Sequence, residues 1–221
     1  MPMRGAVHIK MRVDPDIVFE TELWNSGLLY VAGLDEAGRG ALAGPVAVGA
    51  VILPHGDKTL LASTLAGARD SKQMTPLKRE SLAPRIREVA LAWAVGFATP
   101  EEIDMQGIVR ATRLAAIRAL YQFAITPQYL LTDFRLELPQ IDIPQKSFIK
   151  GDARCLSIAC ASILAKTARD AFMRELEAQY PGYGLGKHKG YGTQAHRSAL
   201  KRLGSSPIHR KSFKLKPIHA E

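Results

Sequence analysis

The sequence predicts an α/β fold, in which helices flank a β-sheet. Short apolar runs rich in small and β-branched residues, which are typical of strands, lie before and between segments that carry helix-start signals. Acidic residues directly follow several of these runs, as ligand-binding residues do at the carboxyl ends of parallel strands. The predicted strands cover residues 28–35, 46–53, 91–98, 129–132 and 147–150.

The first two predicted strands are joined by a tight glycine-rich link, so we expect them to pair antiparallel. The later connections carry helix signals instead. Thr75-Pro76 and the capping box at 99–102 are helix starts, whereas Pro84 and Gly107 are expected to kink or split the helices that contain them. Helices are predicted over residues 16–25, 76–90, 100–123, 154–179 and 193–204.

The link after the first strand, residues 33–40, reads Gly-Leu-Asp-Glu-Ala-Gly-Arg-Gly and places two adjacent carboxylates at a strand end. Unpaired, each would cost several kcal/mol to remove from water, whereas a hard cation such as Mg²⁺ or Mn²⁺ would offset that cost. The segment is not a phosphate-binding P-loop, because Arg39 replaces the required Lys and no Ser or Thr follows it. It also lacks the third glycine of a dinucleotide-binding motif, where Ala43 stands.

Two further acids, Asp133 and Asp152, sit at or just past the carboxyl ends of predicted strands, as Asp35 does. This edge of an α/β sheet is where ligands bind. Asp152 could also cap the long helix that follows it. Asp170 is a rival fourth acid, but its spacing of four residues from Lys166 also suits an ion pair within one helix, and we rank it below Asp152.

The composition is that of an ordinary globular protein, with 221 residues of which 47% are hydrophobic and 23% are charged. We expect a single domain over residues 1–221. It divides into an N-terminal extension (1–27), a core (28–180) and a basic C-terminal segment (181–221).

The formal net charge of +9 is concentrated at the C-terminal end. Residues 178–220 contain no Asp or Glu, so this end, with Glu221, contributes +8 and the rest of the chain +1. Such a basic cluster, interleaved with aromatic residues, indicates binding to nucleic acid. Its nine basic residues are Lys187, Lys189, Arg197, Lys201, Arg202, Arg210, Lys211, Lys214 and Lys216.

Two cysteines, Cys155 and Cys160, give no disulfide framework or metal-binding motif, which favours a reducing compartment. The N-terminus has no apolar core of signal-peptide type, and no stretch is apolar enough to span a membrane. We therefore expect a cytoplasmic protein, most simply a monomer.

Several motifs resemble, in order, those of type 2 ribonuclease H, and specifically of bacterial ribonuclease HII. The resemblance spans residues 33–213, and five motifs in order are far more specific than one. Beyond the 33–40 segment the motifs are Asp70-Ser71-Lys72, Lys150-Gly151-Asp152, Ala161–Lys166 with Arg169-Asp170, His188–Tyr191, and Pro207–Arg210 with Ser212-Phe213.

The resemblance implies a ribonuclease H-like fold, with a five-stranded mixed sheet flanked by helices and a helical C-terminal part. It implies an endonuclease that hydrolyses the RNA strand of RNA–DNA hybrids and nicks duplex DNA 5′ of an embedded ribonucleotide. Two divalent ions, Mn²⁺ or Mg²⁺, about 4 Å apart would support this reaction. The partners would be the hybrid and ribonucleotide-containing duplex DNA, and the products would carry a 3′-hydroxyl and a 5′-phosphate.

We therefore expect Asp35, Glu36, Asp133 and Asp152 to be catalytic, and the first three of them to hold the metal. The resemblance implies that Tyr191 helps to identify the ribonucleotide, together with the backbone of the Gly38-Arg39-Gly40 stretch. Lys72 and Lys166 either neutralise phosphate or anchor carboxylates, and His209 and Arg210 form either a structural turn or a phosphate clamp. The expected substrate-binding residues are Gly38, Arg39, Gly40, Lys72, Lys166 and Tyr191.

Three positions depart from the family pattern: Thr132 and Phe134 around Asp133, and Gly107 where Asn is usual.

Three alternative functions stay open. Ribonuclease HIII carries an extra N-terminal domain, for which about thirty residues before the motif are too few. A junction resolvase would keep the acids without the Gly-Arg-Gly and Tyr191 pairing, and a non-catalytic nucleic-acid-binding protein would need only the basic segment.

Overall fold

The computed structural model describes residues 14–134 and 136–214. Residues 1–13, where the sequence shows little pattern, and Lys216 of the basic segment lie outside this range. The described strands are β1 (Val31–Ala37), β2 (Val46–Ile52), β3 (Ala92–Ala98), β4 (Tyr129–Asp133) and β5 (Gln145–Phe148). The described helices are α1 (Val18–Asn25), α2 (Lys58–Thr64), α3 (Pro76–Val89), α4 (Pro100–Gln106), α5 (Ile108–Leu120), α6 (Leu156–Gln179), α7 (Leu185–His188) and α8 (Gln194–Leu203).

The strands form one mixed sheet in the order β3-β2-β1-β4-β5. The pairs β1–β2 and β2–β3 are antiparallel, whereas β1–β4 and β4–β5 are parallel. The antiparallel pairing expected for the first two strands is confirmed. Because β1, β4 and β5 run parallel and adjacent, their carboxyl ends lie at one edge of the sheet.

Both faces of the sheet are covered by helices. Alternate residues of each strand point to opposite faces; accordingly, Val31 and Leu131 pack with α3 and α6, whereas Ala32 and Leu130 pack with α5. Helix α6 lies very close to the sheet, since a Cβ on Gly49 would fall 2.2 Å from the carbonyl oxygen of Ala161. The five-stranded α/β fold predicted from the sequence is therefore confirmed.

A kink or a split was expected at Pro84 and a split at Gly107, and the split at Gly107 is found. Gly107, with a φ of 81°, separates α4 from α5, and the capping box between Thr99 and Glu102 is present. The division at Pro84 was wrong, because α3 continues through it as a single helix. Pro84 is exposed, so its ring and the missing N–H face solvent rather than a packed neighbour.

Helix α1, inside the predicted N-terminal extension, is joined to the core by a buried carboxylate. Glu20 is fully buried, and its Oε1 accepts hydrogen bonds from the N–H and hydroxyl of Ser157, in the first turn of α6. A negative charge at a helix N-terminus is favourable. Within the part of the chain that the structure describes, no helix has the length and apolar character needed to cross a bilayer.

Candidate active site

Four acidic side chains, which we call the acidic cluster (Asp35, Glu36, Asp133 and Asp152), lie at the carboxyl edge of the three parallel strands. Asp35 and Glu36 are near the end of β1, and Asp133 ends β4. Asp152 lies in a single 3₁₀ turn, Gly151–Ala153, that follows β5. The sequence predicted this placement of Asp35, Asp133 and Asp152, and the topology brings the three strand ends together.

Backbone N–H groups orient two of these carboxylates. The N–H of Gly151 donates to Asp133 Oδ1 at 2.7 Å, which ties the end of β4 to the turn that holds Asp152. The N–H of Glu36 donates to Asp35 Oδ1, also at 2.7 Å. Asp35 is only 2% exposed and Asp152 only 6%. Asp35 and Asp152 are therefore held mostly out of water, whereas Glu36 and Asp133 are partly exposed.

Burial makes the charged forms of these acids costly. Burial, followed by the neighbouring charge of Glu36, raises the pKa of Asp35 well above its ordinary value. Burial also raises the pKa of Glu36. For Asp152, burial and the carboxylate of Asp70 raise the pKa to about 7. The site is thus short of positive charge.

Two positively charged side chains, Arg39 and Lys72, partly neutralise the acidic cluster. Arg39 Nη1 lies 3.9 Å from Glu36 Oε1. Burial opposes the charged form of Lys72, yet the carboxylates of Asp35 and Asp70 outweigh it and raise the pKa of Lys72. Both cations were predicted to bind substrate, and both line the cleft beside the acids. The cleft is lined by Arg39, Asp70, Lys72, Gln73, Asp133, Phe134, Ile149, Lys150, Asp152 and Ala153.

The residues of the acidic cluster suit a hard divalent cation. Glu36 Oε2 is buried and has no hydrogen-bond partner among the described residues. An unpaired buried carboxylate oxygen is costly, and Mg²⁺ or Mn²⁺ prefers oxygen ligands of this kind. Across residues 14–134 and 136–214, no three His, Cys, Asp or Glu side chains are placed closely enough to hold a metal ion together. The fit of the acidic cluster to a cation therefore rests on the chemistry of its carboxylates, whose repulsion a bound cation would relieve.

Asp170, the rival fourth acid, is engaged elsewhere. Its Oδ1 lies 2.6 Å from Lys166 Nζ, four residues earlier on α6, and its Oδ2 lies 3.3 Å from Arg79 Nη2 on α3. Both partners are largely buried with it. This geometry supports Asp152 over Asp170 as the fourth acid. It also identifies one function of Lys166, which is to anchor a carboxylate.

The loop that follows β1 depends on glycine at position 38. Gly38 has a φ of 86°, a conformation that side chains rarely adopt, and a Cβ there would fall 1.8 Å from Arg169 Nε. A Cβ on Gly40, in contrast, would have no heavy atom within 4 Å. The backbone at Gly40 therefore faces open space, where a ligand can approach it closely.

Tyr191 lies in a segment that we call the tyrosine loop, residues 189–192, which follows α7. The N–H of Leu42 donates to the carbonyl of Gly190 at 2.8 Å, so this loop is joined to the Gly38–Gly40 loop. The cationic groups of Lys166 and Arg169 lie 5.6 and 5.5 Å from the centre of the Tyr191 ring. The structure thus brings together Gly38, Lys166 and Tyr191, which are far apart in the sequence.

Two buried arginines hold these loops; sequence reasoning assigned no structural function to Arg169 and left one open for Arg210. Arg169, which is fully buried, donates from Nε to the carbonyl of Pro45, from Nη1 to that of Lys189 and from Nη2 to that of Ala43. Arg210 donates to the carbonyls of Gly38, Arg39 and Gly44. Of the two alternatives left open for Arg210, the structure supports the structural turn. Both arginines occur in motifs already noted, but only their burial shows this function.

Solved structures of known proteins share this fold. The ribonuclease H2 of Pyrococcus horikoshii OT3 matches with a TM-score of 0.69 and 27% identity, covering 83% of this chain and 93% of that one. The RNase HII in the PCNA:RNase HII complex of Archaeoglobus fulgidus matches with a TM-score of 0.71 and 26% identity, covering 86% and 97%. The fold and its acidic strand ends therefore define an enzyme of the ribonuclease H class.

The sequence comparisons identify the family within that class. The family model described as Ribonuclease HII matches residues 32–216. The ribonuclease HII of Dehalococcoides mccartyi (strain 195) is 52% identical over 194 residues, which is 88% of this chain and 90% of that protein. A ribonuclease HII of Thermus thermophilus shows the same identity and coverage. The chain belongs to the ribonuclease HII family, and the resemblance noted from its motifs is confirmed.

Proposed function

We propose that this chain is a divalent-metal-dependent endonuclease that hydrolyses the RNA strand of RNA–DNA hybrids and nicks duplex DNA on the 5′ side of an embedded ribonucleotide. The observation that carries the proposal is the acidic cluster. Carboxylates from three adjacent parallel strand ends lie together, and burial, with the charges of neighbouring carboxylates, raises the pKa values of Asp35, Glu36 and Asp152. A protein that only bound nucleic acid would gain nothing from repulsive acids beside a polyanion.

Each acid has a proposed role. Asp35, Glu36 and Asp133 would hold divalent ions, Mn²⁺ or Mg²⁺, and Asp152 would complete the cluster. When bound, the ions supply activation of the attacking water and stabilisation of the leaving 3′-oxygen. The chain itself orients the carboxylates, through the N–H groups of Glu36 and Gly151, and excludes bulk water from Asp35.

Substrate contacts would come from the groups around this cluster. Arg39 and Lys72 line the cleft and would neutralise phosphates beside the cut bond. The backbone of Gly38-Arg39-Gly40 and the hydroxyl of Tyr191 would bind the ribose 2′-hydroxyl, which both donates and accepts hydrogen bonds. Lys166, already paired with Asp170, would contribute as a neighbour of the Tyr191 ring.

The test is cleavage of a DNA duplex that contains one ribonucleotide, with Mn²⁺, with Mg²⁺ and with a chelator. We expect a single nick 5′ of the ribonucleotide, with 3′-hydroxyl and 5′-phosphate ends, only when a divalent ion is present. An all-RNA strand paired with DNA should be cut at several positions. Binding without cleavage under every metal condition would instead support a non-catalytic binding protein.

We further propose that the chain acts in the cytoplasm as one monomeric domain over residues 1–221. Cys155 and Cys160 are unpaired and buried, which suits a reducing compartment. Helix α1 of the N-terminal extension packs on the core through Glu20. Sedimentation equilibrium at several concentrations would test the monomer, and a single calorimetric unfolding transition would test the single domain.

A further inference from the structure

Three histidines of the C-terminal segment, His188, His196 and His209, form a cluster that lies behind the tyrosine loop. The rings of His188 and His196 are stacked, with 4.4 Å between their centres. His196 Nε2 and His209 Nε2 are 3.1 Å apart, and His196 is fully buried. Buried imidazoles at hydrogen-bond distance need a defined set of donors and acceptors, because each neutral ring carries one N–H and one lone pair.

The neighbouring backbone determines which nitrogen of each ring carries the proton. The N–H of Ser206 donates to His209 Nδ1 at 3.0 Å, so that nitrogen is an acceptor and the proton of His209 lies on Nε2. His209 Nε2–H therefore donates to His196 Nε2. The proton of His196 must then lie on Nδ1, which is 3.1 Å from the carbonyl oxygen of Tyr191 and donates to it.

Neighbouring backbone groups also determine which nitrogen of His188 carries the proton. Its Nε2 is 2.8 Å from the carbonyl oxygen of Tyr183 and must donate to it, while its Nδ1 accepts from the N–H of Gly190 at 3.3 Å. The direction of hydrogen bonding is therefore consistent across all three neutral rings. It runs from Ser206 through His209 and His196 to the backbone of the tyrosine loop.

We propose that His196 and His209 are positioning residues that hold the backbone of Tyr191 through a chain of two neutral imidazoles, and so set how well the enzyme recognises a single ribose. The proposal rests on the proposed function of Tyr191 as a ribose reader. The carbonyl of Tyr191 accepts from the His196 ring and from the N–H of Thr193, at 2.8 Å. With its backbone held at this carbonyl, the Tyr191 ring has a restricted range of positions beside Gly38–Gly40.

A second proton on the His196 ring has no acceptor, because at Nε2 it would face His209 Nε2–H. His209 Nδ1 lies 3.0 Å from the backbone nitrogen of Ser206 and 2.8 Å from its hydroxyl oxygen. Burial lowers the pKa of both rings, that of His196 to about 4, so both stay neutral near pH 7.

The charged groups of the surrounding elements are engaged elsewhere. On α6, Arg169 donates to the carbonyl of Lys189, and Glu177 accepts from the N–H of Gly186. Arg197 on α8 donates to the carbonyl of Gly192, and Arg210 to those of Gly38, Arg39 and Gly44. Among the described residues, two further titratable groups contact the two rings: His188 stacks on His196, and the centre of the Tyr183 ring lies 4.9 Å from that of His209.

The first experiment records ¹⁵N chemical shifts of the imidazole nitrogens in the full chain at pH 7, without activity as a readout. We expect His196 to be the Nδ1–H tautomer and His209 the Nε2–H tautomer. If His196 carries its proton on Nε2, or if either ring is doubly protonated at pH 7, the proposed donors and acceptors of these hydrogen bonds are wrong. This result does not depend on whether the protein is a nuclease.

The second experiment compares kcat and KM on two substrates, a duplex with one ribonucleotide and an RNA–DNA hybrid. His196→Leu removes the donor to Tyr191, and we expect kcat on the single-ribonucleotide duplex to fall about tenfold more than kcat on the hybrid, with little change in KM. His196→Asn places an amide N–H near the position of Nδ1 and should restore most of the loss. His209→Gln should likewise retain function better than His209→Leu.

Tyr183→Phe is the matched control, because the Tyr183 hydroxyl donates to the carbonyl of Gly204 in the same buried cluster but makes no bond to Tyr191. We expect it to lower the melting temperature without changing the ratio of the two activities. If His196→Leu and Tyr183→Phe change the ratio equally, the histidines have only a packing role. If the wild-type protein cuts neither substrate, the proposed function fails. The tautomers of His196 and His209 would still test the hydrogen bonds proposed between the two rings.

Discussion

The acidic cluster and the tyrosine loop differ in where their supporting groups come from. Two of the acids are oriented by backbone N–H groups at the same edge of the sheet, Asp35 by that of Glu36 on its own strand and Asp133 by that of Gly151 in the turn after β5. The tyrosine loop is held by side chains from α6 and α8, chiefly Arg169 and His196. The acids therefore depend on sheet topology alone, whereas the position of Tyr191 depends on packing between distant segments. Changes in the two regions should consequently have different effects.

The largest expected effect comes from the acidic cluster. Asp35→Asn or Asp133→Asn keeps the shape of the side chain but removes a negative charge that would hold a divalent ion. Losing several kcal/mol of transition-state stabilisation lowers the cleavage rate at least about 1,000-fold. Single-turnover cleavage of a hybrid measures this, and a gel-shift assay should show that the hybrid still binds.

The exposed Asp142, which lies outside the cluster, offers a control with the same chemical change. Asp142→Asn should cleave at the wild-type rate. Near-normal turnover by Asp35→Asn in Mg²⁺ would overturn the assignment of the metal-binding acids.

The next effect concerns the support of the loops. Arg169→Met keeps an apolar stem but leaves the carbonyls of Ala43, Pro45 and Lys189 without a donor. Each unsatisfied buried group costs about 1–3 kcal/mol, so we expect a loss of about 3 kcal/mol or more in the free energy of unfolding. Urea denaturation followed by circular dichroism measures it.

Arg174→Met makes the same substitution on the same helix at a half-exposed position, where the side chain pairs with Glu80 at 3.2 Å. That change should cost less than about 1 kcal/mol. Equal destabilisation by the two variants would show that the three carbonyl contacts of Arg169 do not support the loops.

A smaller effect separates Asp152 from Asp170 without measuring activity. Burial and Asp70 raise the pKa of Asp152 from 3.8 to about 7, so between these values the folded state binds more protons than the unfolded state. Without metal, wild-type stability should therefore fall as the pH rises through this window. Asp152→Asn removes this loss and should be more stable than wild type at pH 8, by about 1 kcal/mol or roughly 2–4 °C in melting temperature.

Asp170→Asn should instead lower the stability, because it leaves the buried cations of Arg79 and Lys166 without their carboxylate. Thermal unfolding of the wild type and of both variants, in a chelator at pH 4 and pH 8, measures these differences in stability. If Asp170→Asn is the stabilised variant, Asp170 rather than Asp152 belongs to the acidic cluster.

The sequence was sufficient to predict an α/β sheet and the position of Asp35, Asp133 and Asp152 at strand ends for a physical reason, whereas the mixed sheet was implied by the family resemblance. Strand periodicity and the acids that follow strands are local patterns, and the parallel connection rule brings strand ends together. Arg169 and Arg210 carry no such local signal. An arginine in a basic stretch looks the same whether it faces solvent or donates to buried carbonyls, and only the packing of α6 against the loops distinguishes the two.

The smallest expected effect concerns the basic segment, residues 181–221. Its charge is less available than the sequence suggested, because Arg210 is buried and bonded to backbone carbonyls. The cations of the segment that remain exposed among the described residues are Lys187, Lys201, Arg202, Lys211 and Lys214. These are the groups that can release counterions from a duplex.

The final prediction therefore neutralises two of them, Lys201→Gln with Arg202→Gln, at the end of α8. Each lost phosphate contact reduces the steepness of the fall of log K with log salt by about 0.9. We therefore expect the slope to become shallower by up to about 1.8 for any duplex, with or without a ribonucleotide. Fluorescence anisotropy at several salt concentrations measures the slope. Lys58→Gln with Arg85→Gln removes the same charge from exposed positions outside the segment and should leave the slope nearly unchanged. If both pairs lower the slope equally, binding follows net charge alone and the basic segment is not the nucleic-acid footprint.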